Sequence, residues 1–207
     1  MKVAAALTRS LATLVIAIGF AAHTAGAADL SRPVTLVATS SLESSGFAET
    51  VLFASPLPNG MHVGMIINRP STFSLATLFP EHAASRKVAA PVYVGGPVLP
   101  DMVFAVVRTP VEQSKATLQL MPGLTLVVDE TLIDHIIETT PNDARYFAGL
   151  VVWRPGELDQ EIEAGAWQVN PADAASVFSA HPEQLWKTLS RGGLRLEAAI
   201  PADVRRG

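Results

Sequence analysis

Apolar residues in this chain come in short runs divided by Gly, Pro and Asn, with one longer run near the N-terminus. From Leu11 to Ala22 it reads LATLVIAIGFAA and carries no charge. Lys2 and Arg9 precede this run, and Ala25, Gly26 and Ala27 follow it. The run falls short of the roughly 20 residues that a membrane-spanning helix needs. A positive start, an apolar stretch and an A-x-A step together form a secretory signal. Residues 1–27 therefore read as a signal peptide cut between Ala27 and Ala28, with retention as an N-terminal anchor as the alternative. The expected destination is periplasmic or secreted.

Beyond Asp29 the pattern is that of short strands and short helices. Val34 to Ser40, Thr50 to Ser55 and Met61 to Asn68 are β-branched or apolar enough for strands. Asn59-Gly60 is a hairpin signal between the last two. Ser74 precedes a short helix ended by Pro80, and Glu81 to Ala90 reads as loop. Val92 to Gly95, Met102 to Arg108, Thr117 to Met121 and Leu124 to Val128 read as further strands, the last two joined by Pro122-Gly123. Asp129 caps a helix from Glu130 to Thr139 with Leu132, Ile133, Ile136 and Ile137 on one face. Arg145 to Trp153 is the strongest candidate for a buried strand. Pro155 opens a helix ending near Gly165, and Trp167 with Val169 forms a short strand. Two more short helices cover Pro171 to Ser179 and Pro182 to Ser190, and Gly192-Gly193 ends the second.

Strands joined by tight turns, without a regular strand–helix alternation, predict an α+β fold. The expected architecture is a mixed, largely antiparallel sheet in a barrel-like arrangement, with short helices packed outside. Residues 28–191 form the single domain of this reading, and 192–207 a loosely ordered tail.

Composition narrows the chemistry. The 207 residues include no cysteine, which excludes disulfides, thiolate metal sites and a cysteine nucleophile. Hydrophobic residues make up 49% and charged residues 16%, the opposite of a disordered chain. The net charge is −4; without residues 1–27 it becomes −6, from 13 basic and 19 acidic residues. That balance argues against nucleic acid as a partner. After signal removal no remaining apolar run approaches a membrane span, so no membrane association is expected. An open sheet edge would leave room for a homodimer.

Three clusters carry a family resemblance. The first is Phe47, Thr50 and Val51, then Gly64 and Ile66-Ile67-Asn68-Arg69-Pro70. The second is Pro91-Val92-Tyr93-Val94-Gly95-Gly96-Pro97-Val98. The third is GLVVWRPGELD from Gly149 to Asp159, followed by Glu161, Ala166-Trp167 and Trp186. In order and spacing the chain resembles the YqgE/AlgH family from about Leu36 to Arg191. Members usually show Met-Pro near Ser40-Ser41 and Gly-Tyr-Ala-Gly-Trp-Gly-Pro-Gly-Gln-Leu-Glu in the third cluster. Here Val151-Val152 replace Ala-Gly, and Arg154, Glu157 and Asp159 replace Gly, Gln and Glu. Most members also lack a secretory signal, so the resemblance is to a divergent, exported branch of a largely uncharacterised family. It implies a mixed, barrel-like α+β fold and no established cofactor.

The candidate ligand-binding residues are Asn68, Arg69, Gly95, Gly96, Trp153, Arg154 and Glu157. Arg69 and Arg154 offer planar donor forks suited to an anion. Gly95-Gly96 permits close backbone approach, and the joint at Trp153 to Glu157 begins a helix, where free amides attract negative charge. Asn68-Arg69 has a structural alternative as a strand exit, Gly95-Gly96 as a tight turn, and Glu157 as the cap of its own helix. His62, His82, His135 and His181 have no metal-ligand spacing, so no metal is expected. The serines at 40, 41, 44 and 45 lie in no nucleophile motif.

The resulting expectation is a non-enzymatic module that binds a small anion or an acidic peptide in one cleft formed by these residues, without a cofactor. A hydrolase-like enzyme using Glu157 or Glu161 as general base is the alternative. The family's association with transcriptional regulation supplies a third reading, which the signal and the acidic charge disfavour.

Overall fold

The computed structural model describes residues 28–112 and 114–198. The predicted signal peptide, 1–27, and the last residues of the predicted tail lie outside the described residues. Among the described residues nine strands build one sheet: β1 Val34–Ala38, β2 Val51–Pro56, β3 His62–Ile66, β4 Tyr93–Val94, β5 Val98–Val107, β6 Thr117–Met121, β7 Leu124–Val127, β8 Ala144–Trp153 and β9 Trp167–Pro171. The helices are α1 Leu75–Leu78, α2 Glu130–Thr139, α3 Glu157–Glu163, α4 Ala174–Val177 and α5 Leu185–Ala198.

The strand order is β6-β7-β5-β8-β3-β2-β1-β9. Every neighbouring pair along this path is antiparallel, while β4 lies parallel to β8. The fold is α+β, and the antiparallel sheet curls into a half-barrel. Ser55 Oγ in β2 donates to the Leu120 carbonyl in β6 at 3.0 Å, joining strands five places apart in the order. Among the described residues, β6 and β9 are the two ends of the sheet.

Alternation along the strands sorts the core into three parts. On the concave face, Phe53 and Val51 of β2, Met65 of β3, Phe104 and Val106 of β5, Leu126 of β7 and Phe147 of β8 pack together. Phe178, Leu185 and Leu189, from α4 and α5 and their connection, cover this face. On the convex side, α3 buries Leu158 against Leu36, Leu52, Val151 and Trp153. Further along, α2 buries Ile133, Ile136 and Ile137 against Ala105, Val127 and Tyr146. The helices therefore pack outside the curl, with α4 and α5 across its opening.

The predicted turns appear where glycine permits a left-handed backbone, with φ of 78° at Gly60 and 76° at Gly123. Ser74 and Asp129 cap α1 and α2, accepting from the Thr77 and Leu132 amides at 3.1 and 3.0 Å.

Several boundaries differ from the sequence expectation. The stretch read as loop contains a 3-10 turn, Ala83–Lys87. Strand β5 begins at Val98 rather than Met102, because Val98 pairs with Leu150 before the chain bulges to the Val103–Ala148 pair. Helix α4 is one turn long, Ala174–Val177. The last helix does not stop at Gly192-Gly193 but continues to Ala198. A glycine weakens a helix by about 1 kcal/mol without itself ending it.

One crossing organises the middle of the sheet. Strand β4 lies on the β3 side of β8 and β5 lies on the other, so the connection must pass over β8. It does so at Gly95-Gly96 against Gly149. A Cβ on Gly95 would sit 2.1 Å from the Gly149 oxygen, and one on Gly96 would sit 2.3 Å from the Leu150 oxygen. At Gly149, where φ is 74°, a Cβ would lie 2.2 Å from the Gly96 oxygen. Three glycines are required because two backbones touch here.

Candidate functional site

The structure does not gather the predicted residues into one cleft. Asn68-Arg69 leaves β3 at one end, while Trp153 opposes His62 at the other. Arg69 lies seven residues beyond His62, the partner of Trp153, which at about 3.3 Å per residue separates it from Trp153 by about 23 Å. The single anion cleft is therefore corrected: antiparallel pairing of β3 with β8 sends its two halves to opposite ends.

Each half is occupied within the fold. Asn68 is buried; its Oδ1 accepts from the Val51 amide at 2.8 Å and its Nδ2 donates to the Glu49 carbonyl at 2.9 Å. It holds Glu49 in a left-handed backbone with φ 54°. Arg69 donates to the Gly46 carbonyl at 2.6 Å and the Ala48 carbonyl at 2.9 Å. Burial lowers its guanidinium from the usual arginine value, and its partners are the backbone carbonyls of a loop, as fits the strand-exit alternative. Gly95 and Gly96 are buried at the β8 crossing and do not face open space. Glu157 Oε2 accepts from the Arg154 amide at 2.8 Å, which braces the turn leading into α3; the N-cap is Gly156, and no side chain caps the helix, so Glu157 does not serve as the cap of its own helix. The Arg154 side chain is exposed.

Trp153 packs its ring over Gly64, where a Cβ would come within 2.8 Å of the indole. Its Nε1 donates to Glu161 Oε2 at 2.9 Å, and Trp167 Nε1 donates to the same oxygen at 2.7 Å. Glu161 thus ties α3 to β8 and β9. The two carboxylates considered as general bases are both engaged in helix placement.

A different group of side chains meets on the concave face. Arg145 pairs with Val106 in the β5–β8 register, and Val107 pairs with Ala144. Directly opposed residues share a face, so Arg108, two beyond Val106, projects to the same side as Arg145. Tyr93 opposes Phe147 across β4 and β8 and shares that face. The Arg145 guanidinium lies 4.7 Å from the Tyr93 ring centroid and 5.7 Å from that of Phe178. Arg108 lies 5.2 Å from the same Phe178 ring. Two guanidinium groups therefore stack against the aromatic cover that α4 and its following loop provide.

The electrostatics of the pair differ. Arg108 donates from Nε and Nη2 to Asp143 Oδ1 at 3.1 and 3.0 Å at the exposed rim. Arg145 is more buried and donates from Nη1 to the Ser179 carbonyl at 3.1 Å. No salt bridge to Arg145 occurs among the described residues. Burial lowers its guanidinium from the usual arginine value, Tyr93 opposes that shift, and Arg108 adds to it. It remains charged at neutral pH. The Tyr93 phenol is raised by burial, lowered by Arg145 and raised again by Glu183, so it stays protonated and able to donate.

A cation removed from water beside a like charge, with no salt bridge of its own among the described residues, favours an incoming anion. Sequence reasoning passed over Arg145 because it opens an apolar strand. The available signal was a charged residue at the end of such a run, on the face that alternation assigns to Phe147.

The AlgH-like family model matches residues 35–194. Among similar proteins, a UPF0301 protein of Thermobifida fusca is 32% identical over 180 residues, covering 81% of this chain and 91% of that protein. One from Chlorobium luteolum is 31% identical over 164 residues, covering 76% and 84%. The solution structure of the AlgH protein from Pseudomonas aeruginosa superposes with a TM-score of 0.65 at 26% identity, covering 89% of this chain and 99% of that one. A crystal structure from Corynebacterium diphtheriae gives 0.57 at 28% identity, covering 70% and 78%. The chain therefore belongs to the AlgH-like family, in agreement with the resemblance carried by its three sequence clusters.

Proposed function

We propose that this protein is a non-enzymatic binding module that takes a small anion or an acidic peptide side chain at Arg145, with Tyr93 and Arg108 beside it. The observation carrying this reading is the half-buried Arg145 guanidinium, stacked on Tyr93, hydrogen-bonded to one backbone carbonyl and, among the described residues, in no salt bridge. An anion between Arg145 and the Tyr93 hydroxyl would relieve the cost of burying that charge. This moves the anion site expected at Asn68-Arg69 and Arg154-Glu157 to the concave face.

The test is a titration with inorganic phosphate and with a short Asp-rich peptide, followed by NMR at the Arg145 Nε–H and the Tyr93 ring. Arg145→Gln should weaken binding by about tenfold or more, as expected for a lost charge-assisted hydrogen bond. Tyr93→Phe keeps the ring and should weaken binding less. Arg154→Ala should leave it unchanged. Neither ligand perturbing Arg145, or Arg154→Ala abolishing binding, overturns the reading.

The same proposal places the protein outside the cytoplasm, supported by the Lys2–Arg9 start, the uncharged Leu11–Ala22 run and the Ala25-to-Ala27 step. Intact mass measured on periplasmic and cytoplasmic fractions tests it. A form starting at Ala28 in the periplasm supports export; full-length protein in the soluble cytoplasm overturns it.

A further inference from the structure

Arg145 has donors to spare. Its Nη1 bonds to the Ser179 carbonyl at 3.1 Å, while among the described residues Nε and Nη2 make no hydrogen bond. Neither nitrogen is among the unpartnered side-chain atoms sealed from water there, which are Thr35 Oγ1, His62 Nδ1 and Asn170 Nδ2. Nε–H and Nη2–H lie side by side in the guanidinium plane and form a fork that a carboxylate meets with two bonds. Tyr93 repeats the pattern. It is 2% exposed, yet its hydroxyl makes no hydrogen bond among the described residues and is not one of the sealed atoms. The hydroxyl stands near the fork, because the Tyr93 ring centroid lies 4.7 Å from the guanidinium.

The charges around these donors nearly cancel. Arg108 carries its own carboxylate, with Asp143 Oδ1 at 3.0 Å. Arg145 has no such partner among the described residues. Glu183, on the 3-10 turn Pro182–Gln184, is near enough to Tyr93 for its charge to raise the phenol. Its own ion partner is His181 Nδ1 at 3.7 Å, and only when that ring is protonated. One uncompensated guanidinium therefore works against one carboxylate. The attraction of an anion to Arg145 grows in proportion to its charge, while the cost of taking it out of water grows as the square. Glu183 repels every further negative charge as well.

We propose that the ligand of this site is a monocarboxylate, carried by a small organic acid or by a peptide, and that Glu183 turns dianions such as sulfate away. This rests on Arg145 as the anion site. The carboxylate accepts from Arg145 Nε and Nη2, and one of its oxygens accepts from the Tyr93 hydroxyl.

Acetate and sulfate are the probes, titrated into the full protein at matched ionic strength and followed by NMR at the Arg145 Nε–H. Acetate should bind the more tightly. Glu183 is an exposed side chain, so Glu183→Gln should melt like the wild type. Repulsion scales with the product of charges, so this variant should tighten sulfate by the square of its effect on acetate, about tenfold against about threefold. A capped peptide with one Asp, and an acetylated Gly-Gly peptide with a free C-terminus, separate the peptide sources from the free acid; tighter binding of any of the three than of sulfate supports the proposal. Sulfate binding more tightly than every monocarboxylate overturns it and leaves Arg145 an anion site. A Glu183→Gln gain that is absent, or equal for the two ions, overturns it in the same way. No response of the Arg145 Nε–H to any of these ligands overturns the anion site itself, and the proposal with it.

Discussion

The tie between Glu161 and two indoles gives a sharp stability prediction. Trp153 and Trp167 are 3% and 5% exposed, so neither Nε1 has ready access to water. Both donate to the same oxygen, Oε2 of Glu161, at 2.9 and 2.7 Å. Glu161→Ala removes that oxygen and strands both donors. Each buried donor left unpaired costs about 1–3 kcal/mol, so the expected loss is about 2–6 kcal/mol. Against a typical total of about 5–15 kcal/mol this is a large share. The loss does not come from the helix itself, because alanine is the best helix former and Glu161 lies within α3. Glu161→Gln keeps a carbonyl oxygen that can accept both bonds and loses only the charge assistance. It should cost less than half as much. Urea denaturation followed by fluorescence of the three tryptophans measures both variants. Equal losses in the two would mean that the charge, not the shared acceptor, holds α3. A loss below about 1 kcal/mol in Glu161→Ala would mean that water replaces the carboxylate, and either result refutes the reasoning.

Two further predictions follow from the same packing. Gly149→Ala would place a Cβ 2.2 Å from the Gly96 oxygen at a φ of 74°, so it should prevent folding or sharply lower the melting temperature. Gly46→Ala, with nothing within 4 Å of its Cβ, should melt like the wild type, and wild-type melting of Gly149→Ala would overturn the crossing argument. Burial raises the phenols of Tyr93 and Tyr146, the two tyrosines of the chain. The unfolded chain therefore gives up its tyrosine protons first, and stability should fall as pH rises above about 10. The tyrosinate absorbance of the folded protein should lag that of the urea-unfolded protein, and coincident titrations would contradict the burial.

Local signals in the chain identified most elements. Asn59-Gly60, Pro122-Gly123 and the Asp129 cap each act over a few residues, and each stands where expected. The α+β class also followed from apolar runs joined by tight turns. What could not be read was which distant segment each polar residue meets. Arg69 looked like an anion ligand because it leaves an apolar strand next to Pro70. The carbonyls that occupy it belong to Gly46 and Ala48, on a loop some twenty residues earlier. Gly95-Gly96 looked like a ligand loop, and only the passage of β4 to β5 across β8 explains the pair.

The sequence alone determined the family, the strand-and-helix menu, the caps and turns, and the absence of cysteine chemistry. These depend on composition or on interactions between residues close in the chain. Tertiary structure decided the sheet order, the separation of the predicted cleft into two distant ends, and the meeting of Tyr93, Arg108 and Arg145 under Phe178. The physical reason is that strand pairing is non-local. Periodicity assigns a side chain to a face, but the partners on that face come from β4, β5 and β8, whose adjacency is set by the packing of the whole curled sheet.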